Sequence, residues 1–106
     1  MTVCVTGATG FIGAHVAQLA SESAPVRITY RDEARLTRLG DLEAERVRAD
    51  VLDRGALRRA FRSCDTVFHC AGYVGSHPAD RVWQVNALSP RVAVEAAAAE
   101  DVGAWS

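Results

Sequence analysis

The sequence contains no lysine. All 12 basic residues are arginine, and against 13 acidic residues they leave a net charge of −1. A balance this close to neutral offers no electrostatic case for binding nucleic acid or an anionic membrane surface. Cysteine is sparse: Cys4, Cys64 and Cys70 form an odd set without a CxxC spacing. Neither a disulfide framework nor a metal site is indicated, and the three read as reduced thiols. No apolar run approaches the ~18 residues of a membrane span. The N-terminal stretch lacks a basic region and is interrupted by glycines, so it does not read as a signal peptide, and the cytoplasm is the expected location. With 49% hydrophobic and 24% charged residues in 106, the composition is that of one folded domain rather than a disordered chain.

What the sequence does have is alternation. Thr2–Thr6 reads as a buried strand ended by Gly7. From Phe11 to about Ser21, Ile12, Val16, Leu19 and Ala20 recur at helical spacing. After the turn at Ala24-Pro25, Val26, Ile28 and Tyr30 alternate as a second strand. Asp32 can cap a short helix that carries Leu36 and Leu39 and stops near Gly40. A weak third strand, 45–49, precedes a helix capped by Asp53, with Leu57, Ala60 and Phe61 on one face. Thr66–Cys70 is a fourth strand, and a last helical stretch runs from about Asp80 to about Glu100. Strands alternating with helices over short connections predict an α/β fold: a Rossmann-type, doubly wound parallel sheet, partial, in the strand order 3-2-1-4. Its ligand site would lie beyond the carboxyl ends of strands 1 and 4.

The loop after the first strand reads Thr6-Gly7-Ala8-Thr9-Gly10-Phe11-Ile12-Gly13, a GxxGxxG between strand and amphipathic helix. Gly7 permits the sharp turn, Gly10 lets the backbone approach a pyrophosphate, and Gly13 lets the helix pack close to the sheet. The helix N-terminus offers N–H groups and a positive dipole end to phosphates. Gly7, Thr9, Gly10, Phe11, Ile12 and Gly13 are therefore candidate cofactor-binding residues.

Val5–Gly13 resembles the opening of the extended short-chain dehydrogenase/reductases, the epimerase/dehydratase group. The resemblance continues through Arg48-Ala49-Asp50-Val51-Leu52-Asp53, Asp65-Thr66-Val67-Phe68-His69-Cys70-Ala71-Gly72 and Val85-Asn86, covering residues 1 to 102. The wording around Arg31 is most similar to the dihydroflavonol-reductase and 3β-hydroxysteroid-dehydrogenase-like branch. The resemblance implies that Asp50, with Val51 beside it, meets the adenine amino group. It implies that Ala71 and Gly72 leave room for ribose and pyrophosphate, and that Asn86 helps organise the active site. Ser89-Pro90 departs from the family's usual pair, and a proline inside that helix would kink it. His69 and His15 read as structural.

An acid at the end of the second strand would bond a ribose 2′-OH and select NAD. Here the strand ends Tyr30-Arg31. Arg31 can pair with a 2′-phosphate, Arg35 is a second candidate one turn on, and Asp32 would favour NAD if it reached the ribose. NADP is the preferred expectation, NAD the other.

The family reaction is hydride transfer at a carbonyl or alcohol carbon, and the resemblance implies a Tyr with a Lys four residues later. The chain has only Tyr30 and Tyr73 and no lysine, so that pair is not present and no catalytic residue is assigned. The expectation is the cofactor-binding front portion of a longer reductase or epimerase, residues 1–106 ending before the fifth strand. The parent would take a small-molecule substrate and form a homodimer. A free-standing, non-catalytic NAD(P)-binding module and a non-functional truncated product are the alternatives.

Overall fold

In the computed structural model the described residues are 1–70 and 88–105. Strand β1, Val3–Thr6, is buried at all four positions, as a central strand covered on both faces must be. It pairs in parallel with β2, Val26–Tyr30, and with β4, Thr66–His69, on its other side. Strand β3, Glu45–Arg48, adds to the outer edge of β2. It carries three arginine or glutamate residues exposed to solvent, an edge composition that discourages further pairing. The expected order 3-2-1-4 is found, extended by one short strand: β5, Ala104–Trp105, pairs in parallel with Thr66 and Val67 of β4. The expectation that the chain ends before a fifth strand is corrected on this point. Two residues suffice to begin the ladder and to cover the start of β4.

Helices lie on both faces. Helix α1, Phe11–Ser21, and a 3₁₀ helix, Glu33–Leu39, cover a cluster of Val3, Val5, Ala8, Ala17, Val26, Ile28 and Leu39. Helix α2, Arg54–Phe61, and helix α3, Ser89–Ala99, cover the other face, where Leu57 and Phe61 pack with Cys4, Val67 and a set of alanines. The two clusters follow from the pleat of β1: Val3 and Val5 point one way and Cys4 the other.

The buried stripe of α1 differs in part from the expected one: Val16 and Ala20 pack against the core as expected. Ile12 and Leu19 are 69% and 58% exposed, while Ala17 is fully buried and Gly13 is buried beside the glycine loop. Helix and sheet approach closely here, so small residues face inward and the long ones are turned out. Pro90 is the second residue of α3 as described, and the kink expected at it depends on residues upstream of Leu88. Residues 80–87, where the sequence places the start of this helix, lie outside the described residues.

Candidate cofactor site

The last residues of β1, β2 and β4 bring Thr6, Tyr30 and His69 to one edge of the sheet. The glycine loop leaves β1 at this edge. Gly7 has φ +68°, and its carbonyl accepts the Gly10 N–H at 3.0 Å, closing a tight turn that L side chains rarely adopt. A Cβ on Gly10 would lie 3.3 Å from the Gly7 carbonyl oxygen, and one on Gly13 would lie 2.0 Å from it. The loop is thus a cradle with no space for side chains at these points.

The start of α1 is left open. Its N-cap is Gly10, with no side-chain cap and no acidic residue in the first turn. The 3₁₀ helix and α2 are built the other way: Asp32 accepts from the Ala34 N–H at 3.0 Å, and Asp53 from the Ala56 N–H at 3.1 Å. A helix start without its own cap, beneath a glycine cradle, presents N–H groups and a dipole end suited to a phosphate. The residues present fit the pyrophosphate of a dinucleotide.

Of the sequence-stated candidates, the structure brings Gly7, Thr9, Gly10 and Gly13 together in this cradle, with Phe11 and Ile12 opening α1. Arg31 is exposed just past the end of β2. Asp50 is half-buried after β3, and one of its oxygens accepts the Leu52 N–H at 2.9 Å in a local turn. Val51 follows it, also half-buried. Asp53 is the helix cap, as the sequence assigns it. Ala71, Gly72, the loop 73–79 and Asn86 lie outside the described residues.

At the end of β2, Asp32 is engaged locally: one oxygen caps the 3₁₀ helix and the other pairs with Arg35 at 3.8 Å. Arg35 is therefore partly neutralised by its neighbour. An arginine that touches the glycine loop is Arg38, which the sequence did not announce: its Nη1 donates to the Thr9 carbonyl at 3.2 Å. A contact across 29 residues leaves no periodic signal in the sequence.

His69 is more than a packed ring. Its Nδ1 lies 2.7 Å from the Thr6 hydroxyl and its Nε2 3.1 Å from that of Ser89. The same Thr6 oxygen accepts the Cys70 N–H at 3.2 Å, so the ends of β1 and β4 and the start of α3 are tied at one point. Ser89, fully buried, was legible only as an odd neighbour of Pro90. Burial holds the His69 pKa below its ordinary value of 6.5. The unfolded chain then binds the proton more readily, so the contribution is complete above about pH 6.5 and is lost as pH falls below it. The urea midpoint is expected to drop between pH 7.5 and pH 5.5, and His69→Gln to flatten that slope. An equal slope in the variant would remove His69 as its source. Glu100, held low by hydrogen bonds from Arg58 and Arg62, acts only below its ordinary value of 4.5 and does not overlap.

On the opposite face, Arg27 gathers the end of α2. It donates to the carbonyls of Ala60 and Arg62, both at 2.7 Å, and pairs with Glu45 at 2.8 Å. It also reaches the Cys64 sulfur at 3.3 Å. The neighbouring Cys64 thiol and burial push the Cys4 thiol above its ordinary value. Cys4 and Cys64 are buried and Cys70 is half-buried, all as free thiols. Among the described residues no cluster of His, Cys, Asp and Glu could hold a metal ion, and no helix is long and apolar enough to cross a membrane.

Residues 3–104 match the model of the NAD dependent epimerase/dehydratase family. The chain belongs to this family. It is 48% identical over 84 residues to cinnamoyl-CoA reductase 1 of Oryza sativa subsp. japonica, an alignment spanning 72% of the chain and 25% of that protein. It is 32% identical over 100 residues to sterol demethylase protein B of Methylococcus capsulatus, spanning 92% and 30%. Among solved structures, the crystal structure of gox2253 superposes with a TM-score of 0.86 at 29% identity, covering 95% of this chain and 32% of that one. A short-chain dehydrogenase/reductase superfamily protein from Agrobacterium tumefaciens, with bound NAD, does so with a TM-score of 0.74 at 30% identity, covering 96% and 30%. The chain thus spans between a quarter and a third of the length of these relatives.

Proposed function

We propose that this chain is the cofactor-binding front portion of an NAD(P)-dependent oxidoreductase or epimerase, and that it prefers NADP. The observation that carries the binding role is the uncapped start of α1 beneath the Gly7–Gly13 cradle. Gly7 and Gly10 shape the turn, the first N–H groups of α1 hold the pyrophosphate, and Asp50 receives the adenine. The family resemblance assigns Ala71 and Gly72 the role of leaving room for ribose and pyrophosphate. The bound dinucleotide would supply or accept the hydride at a carbonyl or alcohol carbon of a small substrate.

The NADP preference is supported by the strand-end chemistry. The acid that could select NAD, Asp32, is committed to the 3₁₀ helix and to Arg35. Arg31, exposed just past the end of β2, is a cation that could pair with a 2′-phosphate in bidentate fashion.

Calorimetric titration of the purified chain is expected to give at least tenfold tighter binding of NADPH than of NADH. Arg31→Ala should remove most of that preference, and Gly10→Val should abolish binding of both by filling the cradle. The same preparation should turn over no carbonyl substrate, because a positioned acid/base is worth about 10²–10⁴-fold and this chain has no lysine to complete the family's pair. Equal affinities that ignore Arg31→Ala would defeat the NADP assignment; binding that survives Gly10→Val would defeat the cradle.

A further inference from the structure

We infer that Cys4 and Cys64 are a modification site, a thiol pair that a hydroperoxide converts into an intrachain disulfide, with Cys64 the first sulfur to react. The pair lies under α2 and α3, on the face of the sheet away from α1, and the inference is independent of the dinucleotide reading.

Three observations lead to it. First, the fold puts the two sulfurs in one place. Cys4 of β1 and Cys64 of the turn after α2 are packed in the same core cluster, whereas Cys70 packs against the cluster on the other face. Arg27 connects the two: it stands opposite Cys4 in the β1–β2 ladder, and its Nη1 donates to the Cys64 Sγ at 3.3 Å.

Second, the two sulfurs have unequal surroundings. A guanidinium N–H aimed at the Cys64 sulfur favours its thiolate, the nucleophilic form. Glu45 takes the Nε of the same guanidinium at 2.8 Å and leaves the Nη1 contact in place. Cys4 is fully buried, and its thiol is pushed up by the neighbouring Cys64 thiol and by that burial. It therefore stays protonated where Cys64 can ionise.

Third, Cys64 has a route to solvent that Cys4 lacks. It stands outside the helices and strands, between exposed Ser63 and exposed Asp65, and Ser63 has φ +64°. Opening of this short turn brings the Cys64 sulfur to water while β1 stays paired on both sides.

The chemistry balances with a hydroperoxide as the oxidant. The Cys64 thiolate attacks one peroxide oxygen, an S–O bond forms and the O–O bond breaks. The other oxygen leaves as an alcohol, or as water from hydrogen peroxide, with the proton that Cys64 released. The Cys4 sulfur then attacks the sulfenic sulfur, an S–S bond forms, the S–O bond breaks, and water leaves with the Cys4 proton. The two thiols lose two electrons and the hydroperoxide gains them. The link closes a loop that contains β2, β3 and α2, which restricts the unfolded chain.

The test treats the full chain with hydrogen peroxide, once folded and once in urea. Remaining thiols are then alkylated in denaturant, and the chain is digested after arginine and after Phe68, which separates the three cysteines. The folded chain is expected to lose the mass of two hydrogen atoms, to carry a Cys4–Cys64 link and to leave Cys70 alkylated. Reductant should restore the mass, and the oxidised chain should unfold at a higher urea midpoint than the reduced one. In urea, Cys64 should pair mainly with Cys70, its nearer partner in sequence. Dimedone, which traps sulfenic acids, should label Cys64 in Cys4→Ala at least tenfold more than it labels Cys4 in Cys64→Ala. Alanine suits this alanine-rich cluster, and circular dichroism checks that both variants fold. Where a variant does not fold, the folded and urea digests of the native chain decide alone. A folded chain with Cys4 and Cys64 both alkylated, or linked as in urea, would overturn the inference. Equal labelling of the two variants would overturn the order of attack, and a urea midpoint that falls on oxidation would overturn the bracing effect of the link.

Discussion

Replacing Gly13 by alanine is expected to cost about 3 kcal/mol or more of folding stability and to remove dinucleotide binding. The added Cβ would stand 2.0 Å from the Gly7 carbonyl oxygen, 2.7 Å from its carbon and 3.0 Å from the Ala8 Cα. These are backbone atoms of a turn that already holds Gly7 at positive φ, so no side chain can swing away to make room. Either α1 lifts from the sheet or the turn opens, and each destroys the cradle. Gly10→Ala is a graded comparison. Its Cβ meets the Gly7 oxygen at 3.3 Å, a contact relieved by a shift of a few tenths of an ångström. Binding should suffer more than stability. Gly55→Ala should change the sign: in α2 its Cβ meets nothing closer than 3.5 Å, and alanine favours a helix by about 0.5–1 kcal/mol. Urea unfolding of the three variants, with NADPH titration of each, separates the cases. A Gly13→Ala chain that unfolds at the native midpoint would mean that α1 and the loop are not packed as described.

The glycine loop was legible because it combines local features: a buried β-branched strand, three glycines at fixed spacing and an amphipathic run within 13 residues. Such features need no knowledge of distant contacts. The order of the four strands followed from the handedness of parallel crossovers. The two aspartate caps were legible for the same reason, since a cap bonds within its own turn. What escaped was non-local. Arg38 and the glycine loop meet only after β2 and the 3₁₀ helix have folded back, and no spacing between positions 9 and 38 announces it. Ser89 is buried by an encounter with His69 from another element. Two residues of the inward stripe of α1, Ile12 and Leu19, were misread because period-3.6 reasoning gives weight to large apolar residues. Close packing at Gly13 instead selects Ala17 and turns Ile12 and Leu19 outward. The fifth strand was missed because two residues carry too little pattern to show as a strand. As it stands, β5 pairs with Thr66 and Val67 over the first half of β4.

The second large effect lies under the opposite face of the sheet. Phe61→Ala is expected to destabilise the chain by about 3–5 kcal/mol, against a total of about 5–15 kcal/mol for a chain of this size. Phe61 is fully buried and is the largest such side chain among the described residues. Its cluster is built mostly of small residues: Ala49, Ala56, Ala60, Ala93, Ala96 and Ala97, with Cys4 and Cys64. Alanines let α2 and α3 approach closely, but they have no rotamers with which to refill a lost volume. Leu57 and Phe61 therefore supply most of the bulk, and a cavity left by Phe61 stays open, which puts the cost toward the upper end. The exposed ion pairs that also join α2 to α3 are a poor substitute. Arg54 pairs with Glu95, which Arg91 also holds at 3.0 Å, but exposed pairs of this kind are worth less than about 1 kcal/mol each. Urea titration should show Phe61→Ala with a greatly lowered midpoint or no folded baseline, Phe61→Leu in between, and Arg54→Ala near the native curve. If Phe61→Ala and Arg54→Ala lost comparable stability, α2 would be held by its charges rather than by its apolar face, and the packing account of this layer would fail.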